Sequence, residues 1–597
     1  MFNTLILIHY LYYLFFMTSQ NNSTIVNFIW QVADDILRDI YVKWKYRDVI
    51  LPMTVLTRID SELIDTKDKV LAENEKFKNK ITNIEPILER ATGYAFYNTS
   101  PFTLKTLLLD APNLRSNFKQ YLNGYSSNIQ DILQKFKFEN QIQTLEESDI
   151  LFALIQKFSD ASDKLSPKNL SNHDMGYVFE ELIRKFNEQN NEEAWEHFTP
   201  REVIRLMTNL LFLPVQDQIK NKPLSIYDPC VGSGGMLSVA KEFIQWDESM
   251  IHSTANIFTF GQEINPETYA LCKADMLLKW ERDNQVAFGS TLSNDGFPDD
   301  RFDFILTNPP YGKSWKTDED KLANGKKKEI LDPRFSVGTP RINDGQLLFV
   351  LHMLSKMKHD TPLGTRIASV HNGSALFTGD AGSGESEIRR HIIENDYLEA
   401  IIALPKELFY NTGIGTYIWI LTNRKPAHKK WKIQLINATS SEFYSRMTKS
   451  LGKKRSEIRD KHIQEIYSLF DTFTDSEYSM VFDNEDFGYT QVVVERPRRD
   501  EGGNVISKKW KPEPDADLRD KENIPLKEDI GTYFAREVLP FAPDAWISDK
   551  EAKVWYEINF NKYFYEYTPP RSLEDITRDI LALERETEGV LKEIISQ

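Results

Sequence analysis

Asn308-Pro309-Pro310-Tyr311 closes the apolar run Phe302-Asp303-Phe304-Ile305-Leu306-Thr307, and its groups suit one demanding reaction. An amino group conjugated to an aromatic base is a poor nucleophile because its lone pair is delocalised into the ring. Alkylating it requires acceptors that hold both amino hydrogens and favour a tetrahedral nitrogen. Asn308 offers a side-chain carbonyl, Pro309 a backbone carbonyl as the second acceptor, and the prolines stiffen the loop. Tyr311 adds an aromatic face for a base withdrawn from a duplex stack. Neither a metal nor a covalent intermediate is required. A plain Pro-Pro turn after a strand would explain the prolines but neither Asn308 nor Tyr311.

A fixed tetrapeptide arises by chance in roughly one of a few hundred chains of this length, so a second feature has to support it. Eighty positions upstream (308 minus 228) stands Asp228-Pro229-Cys230-Val231-Gly232-Ser233-Gly234-Gly235, directly after the strand-like run Leu224-Ser225-Ile226-Tyr227. Glycines there let backbone approach a ligand closely, and a helix is predicted from Met236 to Gln245. The Gly-Lys-Ser/Thr ending of a phosphate-binding loop is absent, as is the full Gly-x-Gly-x-x-Gly dinucleotide signature. Glu263 follows the next predicted strand, in Phe260-Gly261-Gln262-Glu263-Ile264-Asn265, where a carboxylate can accept from two vicinal ribose hydroxyls. The plainer reading of Glu263 is a surface loop charge.

These loops need a scaffold. From Ile25 to Asp163 the apolar spacing (Phe28, Val32, Ile36, Ile40) predicts helices. From Asn172 to Asn423 short β-branched runs alternate with helical segments: 257–260, 286–288, 302–306, 366–370, 398–404 and 416–421. That alternation predicts an α/β domain whose sheet is covered on both faces, with ligands bound beyond the carboxyl ends of its strands. The expected division is a helical domain over 17–165, a catalytic domain over 166–424 and a mixed, helix-ended region over 425–597. Leu573, Ile576, Ile580, Leu583, Thr587, Val590 and Ile594 form a heptad seam at the end, for a helix lying on its own domain or pairing with a partner.

The 597 residues are 41% hydrophobic and 27% charged, enough for several cores, and the formal net charge of -16 gives no general attraction for polyanions. Two cysteines, Cys230 and Cys272, argue against a disulfide framework or a cysteine zinc site and fit a reducing cytoplasm. Residues 1–16 are apolar, yet they lack an initial Lys or Arg, a small-residue cleavage site and the length of a membrane span. The reading is a gene-model extension before a natural start at Met17, with no membrane contact; the rival is a membrane anchor.

At the two loops the chain resembles the S-adenosylmethionine-dependent DNA methyltransferases that methylate amino groups, whose hallmark is an Asp/Asn/Ser-Pro-Pro-Tyr/Phe loop. More narrowly it resembles the modification subunit of type I restriction-modification systems. Five further stretches carry the narrower likeness: Met175 to Leu182; His197-Phe198-Thr199-Pro200-Arg201-Glu202; Asp344-Gly345-Gln346-Leu347-Leu348; Gly379 to Arg389; and Tyr556 to Asn561. The likeness extends over nearly everything after Met17. It implies a Rossmann-like class I methyltransferase sheet and adenine N6 as the methylated atom. It also implies that His197, Phe198, Thr199, Pro200 and Arg201 close over the methionine part of the cofactor. Asp228, Gly232, Ser233 and Gly234 would line its loop and Glu263 hold its ribose, with Asn308 to Tyr311 catalytic. Thr199, Pro200 and Glu202 also read as a helix cap with a capping box.

One position departs from the family pattern. After the third strand, relatives often carry an acidic residue for the cofactor's adenine amino group, whereas Gly289-Ser290-Thr291 places Ser290 there. Asp303 is the alternative partner, and Asp275 reads as a helix-surface charge.

The resemblance implies double-stranded DNA as substrate. It also implies a second copy of the chain, a separate specificity subunit that reads the DNA sequence, and a restriction subunit where cleavage is added. Lys326-Lys327-Lys328 and Lys453-Lys454-Arg455 are candidate phosphate contacts, or solvated loop charges. The terminal heptads and Tyr556 to Tyr567 are candidates for docking to the specificity subunit. The rival readings are a protein glutamine methyltransferase, since an amide nitrogen poses the same chemical problem, and a non-catalytic DNA-binding or assembly subunit that keeps the fold.

Overall fold

In the computed structural model, which describes residues 24–189, 198–245, 251–279, 285–324, 329–508, 510–548, 552–564 and 572–583, the apolar runs assemble into one nine-stranded sheet. Its strands are β1 (Leu224–Asp228), β2 (Ile257–Glu263), β3 (Gln285–Phe288), β4 (Phe304–Thr307), β5 (Arg366–Asn372), β6 (Leu398–Ala403), β7 (Thr416–Thr422), β8 (Lys432–Asn437) and β9 (Ser479–Asp483). Their order across the sheet is β9-β8-β6-β7-β5-β4-β1-β2-β3. The run from β3 to β5 is parallel, and β7 is antiparallel to both β5 and β6. The expected α/β sheet is therefore present, with an antiparallel seventh strand inserted beside β5. Strand order reverses between β1 and β4, which pair Ile226 with Phe304 and Tyr227 with Ile305. Chain leaving neighbouring strands there diverges to opposite faces and opens a crevice at their carboxyl ends.

β4 is buried along its whole length, which is why it reads as an unbroken apolar run rather than an alternating one. The sheet continues past Asn423 through β8 and β9. β9 pairs antiparallel with β8, so the outer edge is built from residues the apolar pattern leaves in a lysine-rich region.

Ahead of the sheet, helices share one apolar core. Val49, Leu56 and Ile59 of Arg47–Leu63 and Phe179 of Asn172–Gln189 cluster with Ala270 and Ala274 of Pro266–Leu278, the helix that follows β2. The helical front is thus packed against the helix that follows β2. Arg58 is buried in it, its Nη1 donating to the carbonyls of Leu165 at 2.7 Å and Leu170 at 2.9 Å and its Nε 2.9 Å from Glu62. Such a charge is tolerable inside only because these acceptors replace water.

Two of the stretches that carried the family likeness meet each other. Arg389, 1% exposed, donates to the carbonyls of Tyr556 (2.7 Å), Thr378 (2.8 Å) and Ala375 (3.2 Å). Tyr556 is itself buried, so the expectation that it belongs to a docking surface is corrected: it is an internal brace, and residues 565–571 lie outside the described residues. The chain divides after Glu557 into a second unit. In that unit residues 573–583 are helical and Leu573, Ile576, Ile580 and Leu583 are exposed. The rest of the heptad seam, like residues 1–16, lies outside the described residues. Among the described residues no helix is long and apolar enough to cross a membrane.

Candidate active site

β1 ends at Asp228, and the chain turns through Gly232 (φ 54°) and Gly234 (φ 89°) into the helix Gly235–Gln245. Both glycines occupy the left-handed region, and a Cβ on Gly234 would lie 2.8 Å from Met276 Cε and 3.1 Å from Cys272 Sγ. Asp228 is buried and accepts from the Cys230 amide at 2.9 Å. Burial pushes its carboxyl up to about 7, against the pull of that amide.

Glu263 ends β2 and ties the crevice together. Its Oε2 accepts from the Gly232 amide (3.0 Å), its Oε1 from the Asn265 amide (2.7 Å), and its carbonyl from the Gly289 amide beyond β3 (2.9 Å). Glu263 is 6% exposed, so the reading as a free surface charge is excluded.

Asn308 follows β4, and its Nδ2 donates to Thr199 Oγ1 at 3.1 Å. Its Oδ1 is buried with no partner among the described residues. Thr199 therefore does not cap the next helix: Pro200 occupies the cap position of Arg201–Phe212 without a side-chain hydrogen bond. Glu202, expected in a capping box, instead pairs with Lys454. Tyr311 is partly buried, which raises its hydroxyl to about 12 and keeps it neutral. Behind the loop, Asp344 Oδ1 accepts from the Gly312 amide at 3.0 Å while Asp344 Oδ2 accepts from Gln346 Nε2 at 2.8 Å. Gln346 Nε2 also faces Asn372 Oδ1 (2.8 Å) and Ser374 Oγ (2.9 Å).

Phe198, Thr199, Arg201, Asp228, Gly232, Ser233, Glu263, Ser290 and Asn308 to Tyr311 all line one cavity of about 630 Å³, the size of a nucleoside-scale ligand site. Pro200 and Gly234 are not among the residues that line it, and His197 lies outside the described residues. Sequence reasoning missed Asp318, Lys279 and the role of Asp344. Asp318 lines the cavity and accepts from Ser290 Oγ at 2.6 Å; its place ten residues past Asn308 (318 minus 308), in a charged helix, gave no signal. Asp275 is buried rather than a surface charge, and pairs at 2.6 Å with Lys279, one helical turn on. Lys279 passes over Gly176, where a Cβ would stand 2.5 Å from its Cε.

Below the cavity lies a buried polar cluster. Arg334 Nη1 is 2.9 Å from His352 Nδ1 and also donates to the Thr291 carbonyl at 2.9 Å. Arginine has no acceptor, so Nδ1 carries the lone pair and Nε2 donates to the Tyr227 hydroxyl at 3.1 Å. Burial lowers His352 to about 3, consistent with this neutral form. Asp303 is removed as a cofactor partner: it lies at the other end of β4, accepting from Ser225 and paired with Lys358 at 2.8 Å. Lys454 is removed as a phosphate contact, being 3% exposed and held by Glu202 and the Leu408 and Ser456 carbonyls. Lys326 to Lys328 lie outside the described residues.

The family model for N-6 DNA methylases matches residues 170–497, from the helix under the cavity to the strand after β9. This chain belongs to the N-6 DNA methylase family. The methylase's front, residues 25–158, matches the model for the HsdM N-terminal domain. It is 25% identical over 474 residues to the type I restriction enzyme MjaIX methylase subunit of Methanocaldococcus jannaschii, covering 76% of this chain and 77% of that one. It is 30% identical over 304 residues to the HindI methylase subunit of Haemophilus influenzae, covering 49% of this chain and 61% of the relative. The fold is shared with a type I restriction-modification methyltransferase subunit from Streptococcus thermophilus at a TM-score of 0.58 and 21% identity, covering 78% of this chain and 96% of that structure. The sheet and the helical front thus share the fold of that methyltransferase subunit.

Proposed function

We propose that this methylase transfers a methyl group from S-adenosylmethionine to the N6 amino group of an adenine flipped out of double-stranded DNA. The observation that carries the reading is the Asn308 side chain: its amide nitrogen is committed to Thr199, which leaves Oδ1 as a buried acceptor in the wall of the cofactor-sized cavity.

When bound, S-adenosylmethionine supplies an electrophilic methyl group on a sulfonium. The residues present fit it: Glu263 would hold the ribose, the Gly232 to Gly234 turn admits backbone contact, and Phe198, Thr199 and Arg201 wall the methionine side. Asn308 Oδ1 and the Pro309 carbonyl would hold the two amino hydrogens of the target and draw its lone pair out of ring conjugation. Tyr311, neutral and half-buried, gives the base a stacking face. Positioning of this kind supplies a large share of the rate in such transfers.

The methylase would act as two copies clamped on a specificity subunit, joined by a restriction subunit where cleavage is added. A net charge of -16 fits a subunit that leaves most DNA reading to another polypeptide. The exposed apolar positions of the 573–583 helix suit docking, and the exposed Lys453 and Arg455 suit phosphate contact. The test is Asn308→Ala in the assembled complex with tritiated cofactor: methyl transfer to DNA is lost while cofactor affinity stays within about threefold of the parent. Transfer that survived this substitution would sink the mechanism.

A further inference from the structure

Ser290 and Ser293 donate to the same oxygen of Asp318, Oδ1, each at 2.6 Å. The two elements come from different parts of the fold: the serines follow β3, while Asp318 lies in the helix Lys316–Leu322 just past the target loop. The serine loop is rigidly placed. Arg334 holds the carbonyls of Thr291 (2.9 Å) and Leu292 (2.6 Å), the Thr291 hydroxyl reaches the Pro229 carbonyl, and the Asn294 amide returns to the Ser290 carbonyl at 2.8 Å. Fixed serines in turn fix Asp318. With both hydroxyls on Oδ1, no hydrogen bond falls on Oδ2 among the described residues, and a carboxylate oxygen can only accept. Asp318 lines the cavity that Glu263 and Gly232 line.

Glu263 and Asp318 line the same cavity, so one nucleoside could meet both. Glu263 and the serine loop are adjacent, because the Gly289 amide donates to the Glu263 carbonyl at 2.9 Å. Ile264, 60% exposed, and the buried Leu292 also line the cavity and give it an apolar wall suited to the face of a base.

We propose that Asp318 accepts the exocyclic amino group of the cofactor's adenine, so that the segment following the target loop recognises the cofactor. This rests on the cofactor reading given above. It explains how a serine can stand where relatives often carry an acid: Ser290 orients a carboxylate supplied by another element. It also places the cofactor contact and the target loop on one continuous segment, since Asp318 lies in the first turn of the helix capped by Trp315, four residues past Tyr311.

The test is calorimetric binding of S-adenosylhomocysteine and S-inosylhomocysteine, whose 6-oxo group accepts where the 6-amino group donates, to the full chain. The parent is expected to prefer the adenosyl compound roughly ten- to hundredfold. Asp318→Asn, which keeps shape and can donate, should narrow or reverse that preference, and Asp318→Ala should collapse it. An unchanged preference in either variant overturns the assignment. A parent chain that binds neither compound overturns the cofactor reading itself, a separate result.

Discussion

The Asn308 Nδ2 to Thr199 Oγ1 bond of 3.1 Å joins the loop after β4 to the segment ahead of the helix Arg201–Phe212, and it leaves the side-chain oxygen of the cavity-lining asparagine without a partner among the described residues. With nitrogen committed, oxygen is presented. Thr199→Val removes the acceptor and leaves a buried amide donor without a partner, so the side chain is free to rotate. The expected outcome is a fall in methyl-transfer turnover of roughly ten- to hundredfold, while Thr199→Ser restores most of it. Turnover and cofactor dissociation constant, measured in parallel on the assembled complex, check this; an equal loss in affinity and turnover would assign Thr199 to cofactor binding alone.

Legibility followed locality. β1 to β7 were readable as short apolar or β-branched runs, most plainly β4 and β6, which are buried along their whole length and so almost wholly apolar, and the helix after Gly234 because glycine punctuates its start. β8 and β9 were not: β8 opens on Lys432 directly after the lysine-rich stretch from Lys425, and β9, the edge strand, is only partly buried and so carries a weaker apolar signal. Within the site, Asn308 and Glu263 were legible from their places at strand ends. The Thr199–Asn308 and Ser290–Asp318 bonds were not, because both span elements far apart in sequence and the residue types involved have common local uses, Thr as a cap above all. Lys454 misled for a related reason: a lysine flanked by exposed charges reads as solvated, yet this one is buried against Glu202 and the Leu408 and Ser456 carbonyls.

Asp344 fixes the far side of the target loop through the Gly312 amide, and Gln346 holds Asp344 in turn. Asp344→Ala frees the loop just past Tyr311 without touching the Glu263 side of the cavity. Turnover should fall roughly a hundredfold with cofactor affinity within about twofold. A matching drop in affinity, read by calorimetry, would mean that the loop and the cofactor wall move as one.

Gly234 and Gly93 share a positive φ, 89° and 80°, but differ in surroundings. A Cβ at Gly234 meets Met276 and Cys272, whereas one at Gly93 meets nothing within 4 Å. Gly93→Ala should cost only the backbone strain, about 1 kcal/mol, while Gly234→Ala adds overpacking and should cost roughly 2–4 kcal/mol. Urea midpoints give the comparison, and equal losses would show that the cofactor turn can relax around an added methyl.

Asp228 gives the fold a distinct pH response. Burial raises its carboxyl from the ordinary 3.8 to about 7, so in this range the folded chain binds the proton more tightly than the unfolded chain does. The folded state therefore loses stability as pH rises from about 4, and the loss levels off above about 7. Asp228→Asn keeps an oxygen for the Cys230 amide but cannot ionise. Relative to the parent, the variant should gain stability between pH 5 and pH 8 by roughly 3 kcal/mol and no more beyond. Chemical denaturation of both chains at a series of pH values reads this difference directly. A stability gap that stayed constant with pH would place the ionised carboxylate, not the acid, in the folded cofactor loop.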